Sequence, residues 1–497
     1  MTKLPVLQRS LDTAYQTSFP LRVLQFGTGA LLRGLPDYII HRANMRGDFS
    51  GRVMAVGSTG SGRSAALGKQ GGLFTHRIEG YQQGAEITRF EVNTAVANAI
   101  SARDHWEAVL ALAKGRSVDI IISNTTEVGL TYQPDDLQAS PPASFPAKLT
   151  AFLHTRFLNH PDQGCIILPT ELVTQNGPKL KDLVLRHARE HGLGPAFMDW
   201  IEQGNYFCST LVDRIVTGAP ASEKQARLEG DVGYQDAMLT VSEPYYLWAI
   251  EGPDHLKQRL GFVEGDEGVI LKGDISPFRE RKLRILNGSH TIMVALGHLC
   301  GLETVYDCTE DEQMSAFLTS AMFEEIVPSL PVTVHGGADF AEEVMDRFRN
   351  PFIHHKLLDI TFQYSSKMAM RNVATIERSI RRTGQVPEAM ALGFAAYLHF
   401  LRPVDEAEGL YFGEWQGNSY PIRDSYAKFW RGKWESYSSG TDWLGSVLAQ
   451  ESIWGQDLNQ LAGWRDTVGY YFTVIEGEGP RAALATFLEK RRVQQAD

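Results

Sequence analysis

The chain has 497 residues, which is too long for one hydrophobic core, so two domains are expected. A net charge of −11 argues against broad electrostatic binding to nucleic acid or to an anionic membrane. The sequence has no apolar run of about eighteen residues, so it predicts no membrane span.

The four cysteines, Cys165, Cys208, Cys300 and Cys308, show neither CxxC pairing nor the spacing of zinc ligands. We expect them to be buried thiols of a cytoplasmic protein. The first ten residues lack the apolar core of a secretory signal, which agrees with that location.

The first predicted elements are a strand over Leu21–Phe26, a turn Gly27-Thr28-Gly29-Ala30 and a helix over residues 31–43. Strand, glycine turn and helix in this order open a dinucleotide-binding unit, because glycines let the backbone approach a pyrophosphate. The third glycine of the motif is replaced by Leu32, so a turn without a ligand is the alternative.

A second strand is predicted over residues 52–56 and leads into Gly57-Ser58-Thr59. NAD sites usually place an acidic residue here for the ribose hydroxyls. Only hydroxyls follow, with Arg63 further on, so this segment leaves NAD and NADP open as the cofactor.

The βαβ alternation continues and predicts a Rossmann-like, doubly wound α/β domain over residues 1–274. Ligands bind such sheets at the carboxyl ends of the strands. Asn124 and Thr125 follow one predicted strand, and Asn176 follows the next, although Asn176 is equally typical of a helix-entry turn. The further strands are predicted at 118–123 and 165–168, and the further helices at 105–114, 145–157 and 178–190.

From about residue 275 the strand signals thin out, and residues 275–497 are expected to form a mainly α-helical domain that carries substrate and catalysis. Its helices are predicted at 285–299, 311–326, 340–348, 387–401, 443–450 and 481–492.

Lys282, Asn287 and His290 stand near the start of this second domain. On an α-helix, at about 100° per residue, Asn287 lies about 140° and His290 about 80° round from Lys282, so all three can face one cleft. A lysine that exchanges a proton, an amide that donates a hydrogen bond and an adjustable histidine suit proton transfer to and from an alcohol. Three neighbouring arginines disfavour the ammonium form of the lysine. The spacing alone is more typical of an ordinary amphipathic helix than of a catalytic set.

The chain resembles the mannitol dehydrogenase family of polyol-specific long-chain dehydrogenases. The resemblance rests on Lys282-x4-Asn287-x2-His290, on Phe26-Gly27-Thr28-Gly29 and on Arg33. Residues 123–129, 145–150, 208–218 and 347–352 are similar to the branch of that family that interconverts D-tagaturonate and D-altronate.

The resemblance implies a metal-independent, NAD(H)-linked oxidoreductase of hexuronate breakdown, with no metal site and a small sugar acid as its partner. Lys282 would be the general acid and base, and Asn287 with Asn176 would donate hydrogen bonds to the developing oxyanion. His290 would orient the lysine or bind a substrate hydroxyl. The cofactor contacts would be Phe26, Gly27, Thr28, Gly29, Ala30, Ser58, Asn124, Thr125 and Glu127.

The family places basic substrate-binding residues near Ile360, where His355, Lys367 and Arg371 are the candidates. The carboxylate of a sugar acid favours an Arg or Lys partner. Arg281 and Arg284 are alternatives, and each of these residues, Lys367 above all, could instead be a solvated surface charge.

Other functions stay open at this point. Within the dehydrogenases these are fructuronate reduction and mannitol-type polyol oxidation. A non-redox sugar-acid epimerase with Lys282 as its base, and a catalytically silent binding protein, are the alternatives from other classes. The sequence marks no subunit interface.

Overall fold

The structure, a computed structural model, describes residues 4–8, 18–58, 62–125, 127–437 and 442–496, without the side chains of 127–128 and 494–496. Its two compact units comprise Met1–Gly80 with Ala85–Ile275, and Tyr81–Gly84 with Ser276–Asp497. All four cysteines are free thiols. Among the described helices, none combines the length and apolar composition needed to cross a bilayer.

The first unit alternates strands and helices, as the sequence predicts. Its strands are β1 (Leu21–Phe26), β2 (Arg52–Gly57), β3 (Phe74–Gln82), β4 (Ala85–Asn93), β5 (Val96–Ser101), β6 (Ile120–Ser123), β7 (Ile166–Pro169), β8 (Tyr206–Phe207), β9 (Thr210–Asp213), β10 (Val216–Gly218), β11 (Thr240–Ser242), β12 (Leu247–Glu251) and β13 (Val269–Lys272). Its helices are α1 (Ala30–Gly34), α2 (Pro36–Arg46), α3 (Arg63–Lys69), α4 (Ala102–Lys114), α5 (Phe145–Asn159), α6 (Asn176–Glu190), α7 (Pro195–Gly204) and α8 (Ser222–Val232), with 3-10 turns at Glu127–Leu130, Asp254–Gln258 and Gly261–Val263.

A six-stranded sheet in the order β5-β2-β1-β6-β7-β8 forms the centre of this unit, and all its neighbouring strands are parallel. The strand order reverses at β1, which pairs with β2 on one side and with β6 on the other. Phe26 and Ser123 are in register at the carboxyl ends of β1 and β6. Such a switch point is where open α/β sheets bind ligands, so the predicted Rossmann-like domain is confirmed.

Two smaller sheets, β10-β11-β3-β4 and β13-β12-β9, complete the first unit and were not predicted. The hairpin of β3 and β4 lacks the dense apolar run of a central strand, and β4 alternates exposed and partly buried residues. Short strands with this pattern give a weak sequence signal.

The single helix predicted over residues 31–43 is wrong, because the structure has two helices there. α1 ends at Gly34 and α2 begins at Pro36, with Leu35 between them at φ −129°. Proline has no N–H to continue a helix and restricts the residue before it, but it fits the first turn of a new helix.

The second unit is mainly helical, as predicted. Among its described residues, three helical segments are π-helices, named here π1 (Lys282–Gly288), π2 (Ser320–Ile326) and π3 (Ala369–Val373). The others are α9 (Ser276–Arg281), α10 (Ser289–Leu299), α11 (Val305–Glu310), α12 (Glu312–Thr319), α13 (Gly337–Phe348), α14 (Leu357–Ile360), α15 (Tyr364–Met368), α16 (Ala374–Thr383), α17 (Glu388–Phe400), α18 (Ala427–Glu435), α19 (Trp443–Leu448), α20 (Glu451–Trp454), α21 (Trp464–Glu478) and α22 (Pro480–Ala496), with 3-10 turns at Val327–Ser329 and Leu458–Gln460.

Helix α17 is the core of the second unit, since every residue from 389 to 400 is buried. A helix that is apolar on all sides must be surrounded by others, and α17 packs against α10 and α21. A small antiparallel sheet of β14 (Asp405–Ala407), β15 (Leu410–Trp415) and β16 (Asn418–Ile422) follows it. This sheet departs from the purely helical pattern expected for the region.

Candidate active site

The glycine turn after β1 has the backbone shape that a dinucleotide loop requires. Gly27 has φ +128°, and a Cβ on it would lie 2.6 Å from Leu32 Cδ1 and 3.2 Å from the Asn124 carbonyl oxygen. At Gly29 a Cβ would meet no atom within 4 Å, so the backbone faces open space. Glycine is therefore required at the first position for packing, while the second leaves the backbone open to close approach by a ligand such as a phosphate.

A buried arginine stabilises this loop through hydrogen bonds. Arg33 Nη1 donates to the Thr28 carbonyl at 2.6 Å, and its Nε donates to Thr240 Oγ1 at 2.8 Å. Burial lowers the pKa of Arg33 to about 10, and the guanidinium stays charged at neutral pH. The arginine thus fixes the turn rather than facing a ligand.

The loop after β6 is fixed by a carboxylate that sequence reasoning had not singled out. Glu171 Oε1 accepts from the Thr125 N–H at 2.8 Å and from Thr125 Oγ1 at 3.1 Å, and Oε2 accepts from Ser123 Oγ at 3.2 Å. Burial raises the pKa of Glu171, and these donors oppose that rise. Asn124 Nδ2 donates to the Thr170 carbonyl at 3.1 Å, so both predicted contacts of this loop stand at the carboxyl end of the sheet.

Other predicted cofactor contacts lie near the same edge. Phe26 is the buried last residue of β1, and Ala30 begins α1. Ser58 is exposed directly after β2, whereas Thr59 lies outside the described residues. The backbone of Glu127 starts a 3-10 turn, and its side chain is also outside the description.

Asn176 is predicted as an oxyanion donor, but the structure gives its amide a structural role. Its side chain is completely buried. Nδ2 donates to the carbonyls of Pro169, Glu171 and Thr210 at 2.9, 3.0 and 3.2 Å, and Oδ1 accepts from the Thr210 N–H at 2.9 Å. Both faces of the amide are therefore occupied by backbone, and Asn176 ties the ends of β7 and β9 together.

In the second unit, Lys282 and Asn287 both lie in π1, not in an α-helix. Hydrogen bonds in a π-helix join residue i to residue i+5, so Lys282 and Asn287 stand one turn apart on the same face. The separation of about 140° expected for an α-helix is therefore wrong. His290 follows Asn287 by three residues in α10, about one α-helical turn, and this keeps the three side chains on one side.

Asn287 differs from Asn176 in what its amide contacts. It is partly exposed, and within the part of the chain that the structure describes its side-chain amide makes no hydrogen bond. Only its backbone carbonyl is engaged, by Thr291 Oγ1 at 2.8 Å. Its amide is thus available to a ligand. Lys282 is also partly exposed.

His290 is held by aromatic rings. Its imidazole stacks on Phe348 with the ring centroids 4.2 Å apart, and His355 meets it edge-on at 5.1 Å. Burial lowers the pKa of His290 well below its ordinary value, and the positive charges of His355, Arg371 and other bases lower it further. The ring is therefore neutral at physiological pH and has one donor and one acceptor nitrogen.

The three basic residues predicted to bind the substrate carboxylate lie in one cluster around His290. Arg371, in π3, donates from Nη1 to Thr291 Oγ1 at 3.0 Å, and burial lowers its pKa to about 10. This bond links Arg371 through Thr291 to the backbone of Asn287. Burial also lowers the pKa of His355. We call His290, His355, Lys367 and Arg371 the basic cluster.

Lys367 was interpreted above as a solvated surface charge, but the structure places it in a partly buried position. The side chain is half-buried, and Nζ donates to the Ile360 carbonyl at 2.9 Å. Burial lowers its pKa to about 8, and the nearby charges of Arg371 and Arg423 lower it further. A half-buried ammonium beside other cations favours an anionic ligand.

The two alternative arginines are engaged elsewhere. Arg284 forms an ion pair with Glu280, with Nε 2.8 Å from Oε1. Arg281 lies over the ring of Phe340, with its guanidinium carbon 4.7 Å from the centroid. The Glu280 carboxylate therefore offsets the charge of Arg284, one of the three arginines predicted to crowd Lys282.

The comparisons with known proteins agree with this geometry. The model of the mannitol dehydrogenase Rossmann domain matches residues 21–262, and that of the mannitol dehydrogenase C-terminal domain matches residues 274–471. The chain is 34% identical over 480 residues to an altronate oxidoreductase of Bacillus subtilis (strain 168), covering 95% of this chain and 96% of that one. It is 37% identical over 476 residues to an altronate oxidoreductase of Pectobacterium carotovorum subsp. carotovorum (strain PC1), covering 94% and 96%.

Solved structures show the same fold. The Pseudomonas fluorescens mannitol 2-dehydrogenase, in a ternary complex with NAD and D-mannitol, has a TM-score of 0.67 at 24% identity and covers 99% of this chain and 98% of that one. A substrate-free D-sorbitol dehydrogenase has a TM-score of 0.77 at 20% identity and covers 96% and 100%. The family resemblance predicted from the motifs is confirmed: this chain belongs to the mannitol dehydrogenase family and is a dehydrogenase that acts on CH–OH groups.

Proposed function

We propose that the protein interconverts D-tagaturonate and D-altronate with NAD(H), using Lys282 as the general acid and base. The observation that carries the proposal is the link from Arg371 through Thr291 to Asn287, at 3.0 and 2.8 Å. It ties a cation suited to a carboxylate to the backbone of Asn287, whose side-chain amide is available and suited to an oxyanion. The near full-length similarity to altronate oxidoreductases supports the same substrate pair.

NAD is the proposed cofactor, held by the carboxyl edge of the parallel sheet. The residues fit such a group, because Gly27 leaves no room for a side chain and Gly29 leaves the backbone open. When bound, the nicotinamide supplies or accepts the hydride. Ser58, Asn124 and Thr125 are the proposed polar contacts, and NADPH is included in the test because no acidic side chain follows β2 directly.

In the reduction direction the Lys282 ammonium gives a proton to the keto oxygen as hydride reaches its carbon, which converts the C=O into CH–OH. Asn287 donates a hydrogen bond to the same oxygen while negative charge develops on it. In the oxidation direction the neutral amine removes the hydroxyl proton. Neutral His290 can bind a substrate hydroxyl without competing for that proton.

The basic cluster is the proposed site of the substrate carboxylate. Arg371 offers a planar fork, and Lys367 offers a single ammonium group. Both lie in a partly buried environment, where attraction to an anion is screened less than at an exposed surface.

The test follows oxidation of NADH and of NADPH with D-tagaturonate, D-fructuronate and D-fructose as separate substrates. Rapid NADH oxidation with D-tagaturonate, with far slower turnover of the other two, supports the proposal. Turnover of D-fructose in preference contradicts the carboxylate role of the basic cluster and favours a neutral polyol. Absence of turnover with every pair, from folded protein that also binds no nucleotide, contradicts the redox reaction and favours an epimerase.

A further inference from the structure

One arginine joins the two π-helical segments that carry the proposed substrate-binding groups. Arg284 lies in π1, and its side chain is only 9% exposed. Its Nη1 donates to the backbone carbonyls of Met370 and Arg371, both at 2.8 Å. Those two carbonyls belong to π3.

The carbonyls need this partner because of the π-helix. Where a helix changes its hydrogen-bond register, backbone oxygens can lose their helical donors, and a side chain that inserts there takes over. Burying such an oxygen without a donor costs about 1–3 kcal/mol. A guanidinium has enough donors in a fixed plane to serve both oxygens and still pair elsewhere.

The other end of Arg284 is fixed by a shared carboxylate. Nε and Nη2 donate to Glu280 at 2.8 and 3.4 Å, and Arg378 Nη2 donates to Glu280 Oε1 at 2.5 Å. Arg284 is therefore held at both ends. Arg378 touches the same carboxylate, but its other bond is to the Ala374 carbonyl, outside π3.

The geometry points to Arg284 as a positioning residue that sets the spacing between the proton donor and the carboxylate site; this rests on the proposed function. π1 carries Lys282 and Asn287, and π3 carries Arg371. Because the arginine joins the two backbones, it fixes how far the reacting keto group stands from the bound carboxylate.

The test compares Arg284→Lys with Arg378→Lys. Lysine keeps the charge but cannot reach two carbonyls and a carboxylate at once. For Arg284→Lys we expect kcat with D-tagaturonate to fall by about tenfold to a hundredfold, since a misplacement of about 1 Å has that effect. KM rises as well, while cofactor affinity is unchanged. Arg378→Lys is the matched control and should stay within about twofold of the parent protein in both constants.

Hydrogen–deuterium exchange gives a readout that does not depend on turnover. Arg284→Lys should speed exchange locally, in residues 285–289 and 370–374, and Arg378→Lys should not. Equal effects of the two variants on kcat and exchange, or faster exchange throughout the second unit, would overturn the inference.

A second variant guards against failure of Arg284→Lys to fold. Glu280→Gln weakens the ion pair of Arg284 and leaves its bonds to the two carbonyls in place. It should therefore give the same local exchange pattern with a smaller loss of kcat. If local exchange in this variant is unchanged, the positioning role of Arg284 is contradicted. If the parent protein turns over neither uronate, the proposed function has failed, and the exchange data still decide whether Arg284 joins the two segments.

Discussion

The carboxyl edge of the parallel sheet and the π-helical region of the second unit use polar side chains in opposite ways. At the sheet edge, Arg33, Glu171 and Asn176 are buried and hydrogen-bonded to the loops around them. In the π-helical region, Asn287 keeps its amide available, and Lys367 and Arg371 bring two partly buried cations into the basic cluster. The first arrangement favours a fixed backbone for a cofactor, and the second is suited to binding a polar or anionic ligand.

The difference separates residues that stabilise the fold from residues that are available to act on a ligand. A buried polar group with all its partners in the protein gains little from a ligand, and its removal harms the fold. A group that lacks a partner costs stability in the free protein, and its removal harms function instead. Each prediction below tests one side of this contrast.

The largest expected effect is that of Lys282→Met. Without a proton donor we expect kcat to fall by about 10²–10⁴-fold, the usual contribution of general acid–base catalysis. NADH affinity, measured by fluorescence titration, should be unchanged, because no cofactor contact is proposed for this residue. A variant that keeps more than a tenth of the activity would contradict the acid–base role proposed for Lys282.

The same substitution at two asparagines sharpens the contrast most directly. Asn287→Ala should lower kcat by about 10²–10³-fold with little change in thermal stability, as for other oxyanion donors. Asn176→Ala removes the partner of several buried backbone groups, so it should lower the free energy of unfolding by about 2–4 kcal/mol. Denaturant unfolding and steady-state kinetics on both variants check this, and reversed effects would refute the assignment.

Arg371→Met should act mainly on KM. Loss of a charge-assisted bond to a carboxylate corresponds to about a tenfold to hundredfold rise in KM for D-tagaturonate. The rate with a neutral ketose, measured in parallel, should change by less than about twofold. An equal loss with both substrates would place Arg371 among the scaffold residues.

The smallest expected effect is a pH dependence from Lys367. Its pKa in the folded protein is about 8, below the ordinary 10.5, so the ammonium is present below about pH 8 and is lost as the pH rises through that value. KM for the sugar acid should therefore rise by about threefold to tenfold above pH 8. Lys367→Arg keeps its charge and should flatten this limb, and an unchanged limb would show that another group titrates.

The sequence predicted the sheet edge more completely than the π-helical region. Buried apolar runs and a glycine turn follow ordinary strand–helix rules, so β1, β2 and the turn at Gly27 were predicted close to where they lie. For Asn176 the sequence left both interpretations open, because a turn asparagine looks the same in sequence whether its amide is occupied or available.

The π-helical region could not be predicted because π1 has no sequence signal of its own. Residues 282–288 fit an α-helical pattern, and only the structure shows the register that aligns Lys282 with Asn287. The two carbonyl partners of Arg284 lie 86 and 87 residues further along the chain. Pairings at that distance depend on tertiary packing, and local periodicity does not report them.

The π-helix at Lys282 has a consequence for how this helix tolerates insertions and deletions. In a π-helix residues five apart share a face, whereas in an α-helix residues four apart do so. Removing one residue between Lys282 and Asn287, such as Leu283, while the segment reverts to an α-helix, would leave the two side chains aligned. Two proteins can therefore share the same arrangement of lysine and amide although the spacing between them in sequence differs by one residue. A motif search with fixed spacing would miss one of the two.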